Sequence, residues 1–173
     1  RYGHCAVSFA DHMITYGGRG FEQGSNALST LGDAWAFSYA DDLWTRLYDA
    51  KNTKDGPNPR SGHVCALVND VGQGADRTAH MLVFGGMAKS RATDPASLVN
   101  EVWRLNLRSA GGVISATWLR LQPSGGALPV PRFDHTAVPY ENGMLIYGGC
   151  ESSTAFLDVW LLAPDPVCGG PTP

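Results

Sequence analysis

Three histidines, His4, His63 and His135, each follow an arginine by three residues, in Arg1-Tyr2-Gly3-His4, Arg60-Ser61-Gly62-His63 and Arg132-Phe133-Asp134-His135. Three imidazoles are enough to hold zinc or copper if a fold brings them together. Against that reading, the three share one position of a recurring pattern, and a residue fixed by a repeat is there to build the repeat. A metal site also needs convergent ligands and a supporting shell of hydrogen bonds, and the neighbouring residue types supply neither. The structural role is favoured, and no metal or other cofactor is expected. His12 and His80, at equivalent places ahead of apolar runs, read as turn residues.

Charge and sulfur offer further chemistry. An acid stands two residues before a tryptophan in Asp33-Ala34-Trp35, Glu101-Val102-Trp103 and Asp158-Val159-Trp160. Arg1, Arg60 and Arg132 recur alongside these acids, so each guanidinium is expected to reach the acid of its own or an adjacent unit through a charged hydrogen bond. The cysteines, Cys5, Cys65, Cys150 and Cys168, show no C-x-x-C pairing and no regular spacing. Cys5 and Cys65 lie in apolar runs, where a thiol behaves as a small hydrophobe, so unpaired core thiols are expected rather than disulfides. No Ser-His-Asp order or acidic dyad stands out. Gly17-x-x-Gly20 and Gly72-x-Gly74 lack the following helix that would give a phosphate-binding dipole.

The elements that must position these residues follow from hydrophobic patterning. After each histidine comes a short apolar run, as in Ala6-Val7-Ser8-Phe9 and Val64-Cys65-Ala66-Leu67-Val68, read as a strand A buried on both faces. A turn at Ala10-Asp11-His12 or Glu141-Asn142-Gly143 leads to strand B, an apolar run closed by Gly17-Gly18, Gly85-Gly86 or Gly148-Gly149. The acid-x-Trp segment starts strand C. Trp44-Thr45-Arg46-Leu47 and Trp118-Leu119-Arg120-Leu121 alternate as an outer strand D, with no counterpart after Trp160. Residues 69–77 are an insertion in the A–B turn of the second unit. The 21 glycines and 11 prolines have no short period, which fits many turns between short strands and excludes collagen-like or low-complexity sequence.

Four antiparallel strands per unit, repeated with a double glycine, resemble the kelch repeat, and the resemblance covers nearly the whole chain. It implies an all-β fold of propeller blades forming a partial ring of about three: blade 1 over 1–59, blade 2 over 60–131, an incomplete blade 3 over 132–163, and a Pro/Gly-rich tail over 164–173. Two departures stand out. Asp134 replaces the glycine seen at Gly3 and Gly62, and the family's Asn-Asp pair is Gly32-Asp33, Asn100-Glu101 and Leu157-Asp158 here. Three blades cannot close a ring, and the first anchor starts at residue 1, so the chain is expected to be part of a longer one, ahead of a half-ring that closes by self-association.

In such a fold the B–C loops and D–A linkers share one face, and the resemblance implies that this face carries a protein or peptide partner. It holds Arg19, Phe21, Glu22, Lys89, Arg91, Asp94, Glu151 and Phe156, of which Arg19, Phe21, Lys89, Arg91 and Phe156 are the chosen contacts. The expected function is a non-catalytic interaction scaffold. The alternative is a piece of a kelch-type enzyme with a metal or small-molecule site at the channel mouth. Some members bind iron through Glu-x-x-x-Asp-x-x-x-His, but Glu101 and Glu141 are followed at the fourth position by Leu105 and Leu145. A net charge of -3 gives no reason to expect nucleic acid or an anionic membrane, and no run of about 20 apolar residues is present. The compartment is left open, with the cytoplasm as default.

Overall fold

The computed structural model describes residues 1–21, 26–53, 55–74, 76–89, 95–122 and 127–163, and it is built from strands, with no helix among those residues. Glu22, Arg91, Asp94, Cys168 and the tail over 164–173 lie outside the described residues. In the first repeat, β1 (Cys5–Phe9), β2 (His12–Tyr16), β5 (Asp33–Ser38) and β6 (Trp44–Asp49) form an antiparallel sheet in chain order, with a ribbon of β3 (Arg19–Phe21) and β4 (Leu28–Thr30) between β2 and β5. The second repeat opens with β7 (Arg60–Ser61), and its sheet is β8 (Val64–Gln73), β9 (Asp76–Phe84), β12 (Val102–Ala110) and β13 (Val113–Leu121). Its ribbon is β10 (Met87–Ala88) with β11 (Ser97–Leu98). The third has β14 (Thr136–Tyr140), β15 (Gly143–Tyr147) and β18 (Val159–Leu162), with a ribbon of β16 (Cys150–Glu151) and β17 (Thr154–Ala155). These are kelch-type blades in a partial ring.

Register confirms that the repeats are structural equivalents. Trp35 lies opposite Thr15, Trp103 opposite Val83 and Trp160 opposite Ile146, each one residue before the aromatic that precedes the glycine pair. The three Gly-Gly pairs therefore close equivalent B strands. The A strands β1, β8 and β14 lie side by side, which sets them on the axis side of the arc. The hydrophobic core sits between sheets. Phe9, Ile14, Tyr16, Met81, Val83 and Leu105 fill the seam between blades 1 and 2, and Val68, Phe84, Met144 and Ile146 that between blades 2 and 3. Full burial of each such side chain is worth about 1.5–3 kcal/mol.

Four expectations are corrected. Strand A is covered on both faces only in blade 2, because β1 and β14 each have a neighbouring sheet on one side and alternate in burial. The insertion over 69–77 is no loop. It lengthens the β8–β9 hairpin past a bulge at Asn69, whose φ is 53°, because backbone pairing continues through the polar residues. His80 consequently sits inside β9 opposite Val68 and Asn106, and His12 opens β2 opposite Phe9. Cys5 and Cys65 are not free thiols but form a disulfide. Adjacent A strands bring their Cα atoms to 5.8 Å, a usual disulfide span, and both residues are only half-buried. Cys150 is free, its Sγ near the Phe133 carbonyl.

Candidate functional site

Each blade start builds the same polar cluster. Arg1 donates to the Gly17 carbonyl at 3.1 Å and to Asp33 at 3.0 Å, Arg60 to the Gly85 carbonyl at 3.2 Å and to Glu101 at 2.7 Å, and Arg132 to the Gly148 carbonyl at 2.8 Å and to Asp158. Arg132 and Asp158 meet as a bidentate pair, at 2.5 and 2.8 Å. The tryptophan two residues on donates its indole N–H to the same carboxylate, at 2.6 Å for Trp35, 3.1 Å for Trp103 and 2.6 Å for Trp160. The predicted pairing of arginine with acid is present in all three repeats, within one repeat each time. The Asp158 carboxyl is held well below the usual carboxylate range, first by the hydrogen bond from Arg132. Glu101 feels burial, which raises its pKa, but hydrogen bonds from Arg60 and Trp103 and the charges of Arg60 and Arg120 outweigh it and the net direction is down.

The histidines lie in separate seams rather than together. His63 packs its ring edge-on against Tyr16 of the preceding blade at 5.2 Å, and His135 does the same against Phe84 at 5.3 Å. The glycine pairs make this possible. A Cβ on Gly17 would meet the Arg60 carbonyl oxygen at 2.7 Å and His63 Cε1 at 2.8 Å, and φ there is +64°. The Gly18 N–H donates across the seam to the Arg60 carbonyl at 2.8 Å, and the Gly86 N–H to that of Arg132 at 2.9 Å. Burial, followed by the nearby arginine charge, drives the imidazole pKa down to about 3 for His63 and about 4 for His135, so both are neutral at pH 7. The Tyr16 and Phe84 carbonyls pull the other way without forming well-aligned hydrogen bonds, and among the described residues both ring nitrogens of each histidine lack a hydrogen-bond partner. His4 is exposed at the free edge of blade 1. Among the described residues, no three His, Cys, Asp or Glu side chains gather at metal-binding distance.

The three ribbons stand at one end of the blades and carry or flank the predicted contact residues that are described. Arg19 lies in β3, pairs its backbone with Tyr2 in both directions, at 2.9 and 2.7 Å, and sets its guanidinium 6.0 Å from the Tyr2 ring. Phe21, 69% exposed, faces Leu28, 44% exposed, across the same ribbon. Lys89 follows β10 and donates its N–H to the Pro59 carbonyl at 2.9 Å. Phe156 is half-buried, its ring centroid 4.4 Å from Arg132 Cζ. Glu151 is exposed on β16. The structure thus brings Arg19 and Phe21 onto one ribbon and sets Lys89 and Phe156 just after strands of the next two.

Sequence reasoning missed two features here. Tyr2, 55% exposed, extends the apolar patch of Phe21 and Leu28. Leu31, Val99 and Phe156 are one repeat position, each donating its N–H to the second glycine carbonyl of its blade, at 2.8, 3.1 and 2.8 Å. Their differing side chains hide a backbone signal that only their constant place two residues before the acid, at Asp33, Glu101 and Asp158, could have revealed.

Two blades of four antiparallel strands and a third of three, seams built on Gly-Gly and Arg-x-x-His, and a shared ribbon face define a kelch-type propeller segment. A family model described as the KLHDC2/KLHL20/DRC7 Kelch-repeats domain matches residues 3–166, and the chain belongs to the kelch-repeat family. It is 34% identical over 134 residues to human host cell factor 1, covering 70% of this chain and 6% of that protein. It is 28% identical over 160 residues to the Drosophila melanogaster leucine-zipper-like transcriptional regulator 1 homolog, covering 92% and 14%, and 29% identical over 164 residues to human multiple epidermal growth factor-like domains protein 8, covering 92% and 5%. The chain therefore spans a small part of each of these curated relatives.

Proposed function

We propose that the chain is a non-catalytic interaction module whose protein or peptide partner docks on the ribbon face, with Phe21 and Arg19 as central contacts and Lys89, Arg91 and Phe156 at the periphery. Arg91 lies outside the described residues and enters on its sequence position alone. The observation carrying this reading is the exposed Phe21–Leu28 pair beside Tyr2 and Arg19, on a ribbon whose side chains lie outside both seam cores. Aromatic and arginine side chains dominate the energy of protein interfaces, whereas the anchors shared by the three repeats are occupied in building the seams. Membership of the kelch family supports the same role.

A photo-crosslinking amino acid placed at position 21 should capture a partner from the native source, and the same group at Tyr39, exposed at the opposite end of blade 1, should not. Equal capture at both positions, or capture at 21 that survives Arg19→Ala undiminished, would count against this face.

A further inference from the structure

Two outer strands guard their free edges differently. β6 is six residues long, breaks register with β5 between Ala34 and Trp35, and carries Arg46 and Asp49, paired at 3.0 Å. A short strand, a bulge and charged side chains are the devices that keep an exposed edge from recruiting another strand. β13 is neither short nor bulged. It runs nine residues as the outermost strand of blade 2, keeps unbroken register with β12, and contains neither glycine nor proline. Its one charged residue, Arg120, is held within the blade by Glu101 at 3.0 Å.

The hairpin also sets the direction of its backbone groups. β12 and β13 are joined by the two-residue turn Gly111-Gly112, with φ of 58° and 83°, so Ala110 and Val113 exchange hydrogen bonds and every second residue from Ile114 onward turns its N–H and C=O away from β12. These residues are Ile114, Ala116, Trp118 and Arg120, and among the described residues no backbone hydrogen bond from outside the sheet reaches them. The side chains of Ile114, Ala116 and Trp118 pack against the core of the seam with blade 1, which holds the strand straight. The Gly111 N–H donates to Asp76 at 3.2 Å and ties the tip of the hairpin to β9. Ser115, Thr117 and Leu119 are exposed on the other side of the strand.

We propose that β13 pairs edge to edge with β13 of a second copy of this chain, antiparallel about a twofold axis at Thr117, joining two four-stranded sheets into one. The strand's own sequence fits itself in that register. Ala116 of one copy lies opposite Trp118 of the other, and Ile114 opposite Arg120, so each outward N–H meets a carbonyl and no charge faces a like charge. On the exposed side Thr117 meets Thr117 and Ser115 meets Leu119, and cross-strand threonine pairs are favourable. A strand of this length spans about 30 Å, and one such pairing buries less than the roughly 1,600 Å² of a standard interface, so association is reversible and concentration-dependent. The contact uses the outer rim of blade 2 and stands independently of the ribbon face.

Sedimentation velocity of the full chain over a rising concentration series should show a reversible equilibrium between monomer and dimer. Amide exchange in the same series should slow at Ile114, Ala116, Trp118 and Arg120 as dimer forms, while Ser115 and Thr117, whose N–H groups turn toward β12, stay protected throughout. Thr117→Lys and Thr117→Glu, each at an exposed side chain, should weaken association by at least about tenfold by setting like charges opposite one another, and an equal mixture of the two should restore it. The exchange measurement uses the unaltered chain and decides the matter if a variant misfolds. A chain that stays monomeric throughout the series, association undiminished in both variants, a mixture no stronger than its parts, or exchange at the four amides that ignores concentration would each overturn the assignment.

Discussion

The seam between blades 1 and 2 and the free edge of blade 3 contain the same residue types in the same register, yet their physical states differ. Tyr16 and Phe84 are fully buried beneath the histidine of the following blade, whereas Tyr147, at the same repeat position, is 49% exposed. The Cβ position of Gly17 is hemmed in by Arg60 and His63, while that of Gly148 meets only the Phe156 carbonyl, at 3.2 Å. At the other end, Arg1 keeps 24% of its side chain exposed where Arg60 and Arg132 keep none. A kelch motif is thus half a structure. Its charges and glycines acquire their energetic weight only when a neighbouring blade removes water from them.

The largest test of that contrast is arginine removal. Arg60→Ala strips a buried guanidinium from Glu101 and the Gly85 carbonyl and should cost about 3–5 kcal/mol, while Arg1→Ala should cost less than about 1 kcal/mol, as exposed pairs do. Denaturant titration of both variants checks it, and equal losses would mean that burial does not set the weight of the pair.

Glycine substitution comes next. Gly17→Ala combines strain at positive φ with a clash against backbone, for about 2–4 kcal/mol, whereas Gly148→Ala faces the φ strain and should cost about 1–2 kcal/mol. Unfolding midpoints of the two variants should separate in that order.

Acid sharpens the comparison further. The folded-state pKa of His63 is below its ordinary 6.5, so the unfolded chain binds the proton first. Stability is complete above pH 6.5 and falls as pH drops from 6.5 toward about 3 for His63 and about 4 for His135. By pH 5 each should have cost about 1–2 kcal/mol, and His63→Gln should remove about half of the pH dependence between 7 and 5. His4, exposed at the free edge, should contribute less, so a His4→Gln variant should keep nearly the wild-type slope. The depressed carboxyls of Glu101 and Asp158 add their own loss only below about pH 4.5.

The smallest effect is a gain. Asp134 holds φ of +52° where the other repeats use glycine at +62° and +66°, so Asp134→Gly should relieve left-handed strain and stabilise by up to about 1 kcal/mol. A lower midpoint instead would show that the carboxylate of Asp134 contributes more than its backbone strain costs.

Much of this was legible in the sequence because a repeat displays its own constraints. Arg-x-x-His, Gly-Gly and acid-x-Trp appear three times in one order, and each pairing they implied is found in the structure. What escaped is what the repeat does not dictate. The disulfide joins residues from different blades at unequal offsets from their histidines, one residue after His4 and two after His63, so no within-repeat comparison could align them. The long hairpin of blade 2 was hidden by Asn69, Gly72 and Gly74, turn-forming residues whose backbone pairing depends on a partner strand that composition does not reveal. The ribbon face was placed by topology, but Tyr2 joins its patch through bridging to Arg19, a contact with no side-chain pattern to announce it.

The bond between Cys5 and Cys65 also decides how the chain carries mechanical load. It bridges a sequence separation of 60, so β2 to β7 form a covalently closed loop anchored on the inner strands. Tension applied between the chain ahead of Cys5 and the chain beyond Cys65 runs through the sulfur atoms and leaves the rest of blade 1 slack. Extension in a force experiment should then stop short by the length of that loop and regain it on reduction, which makes the first blade a passenger under force while its neighbours bear the pull.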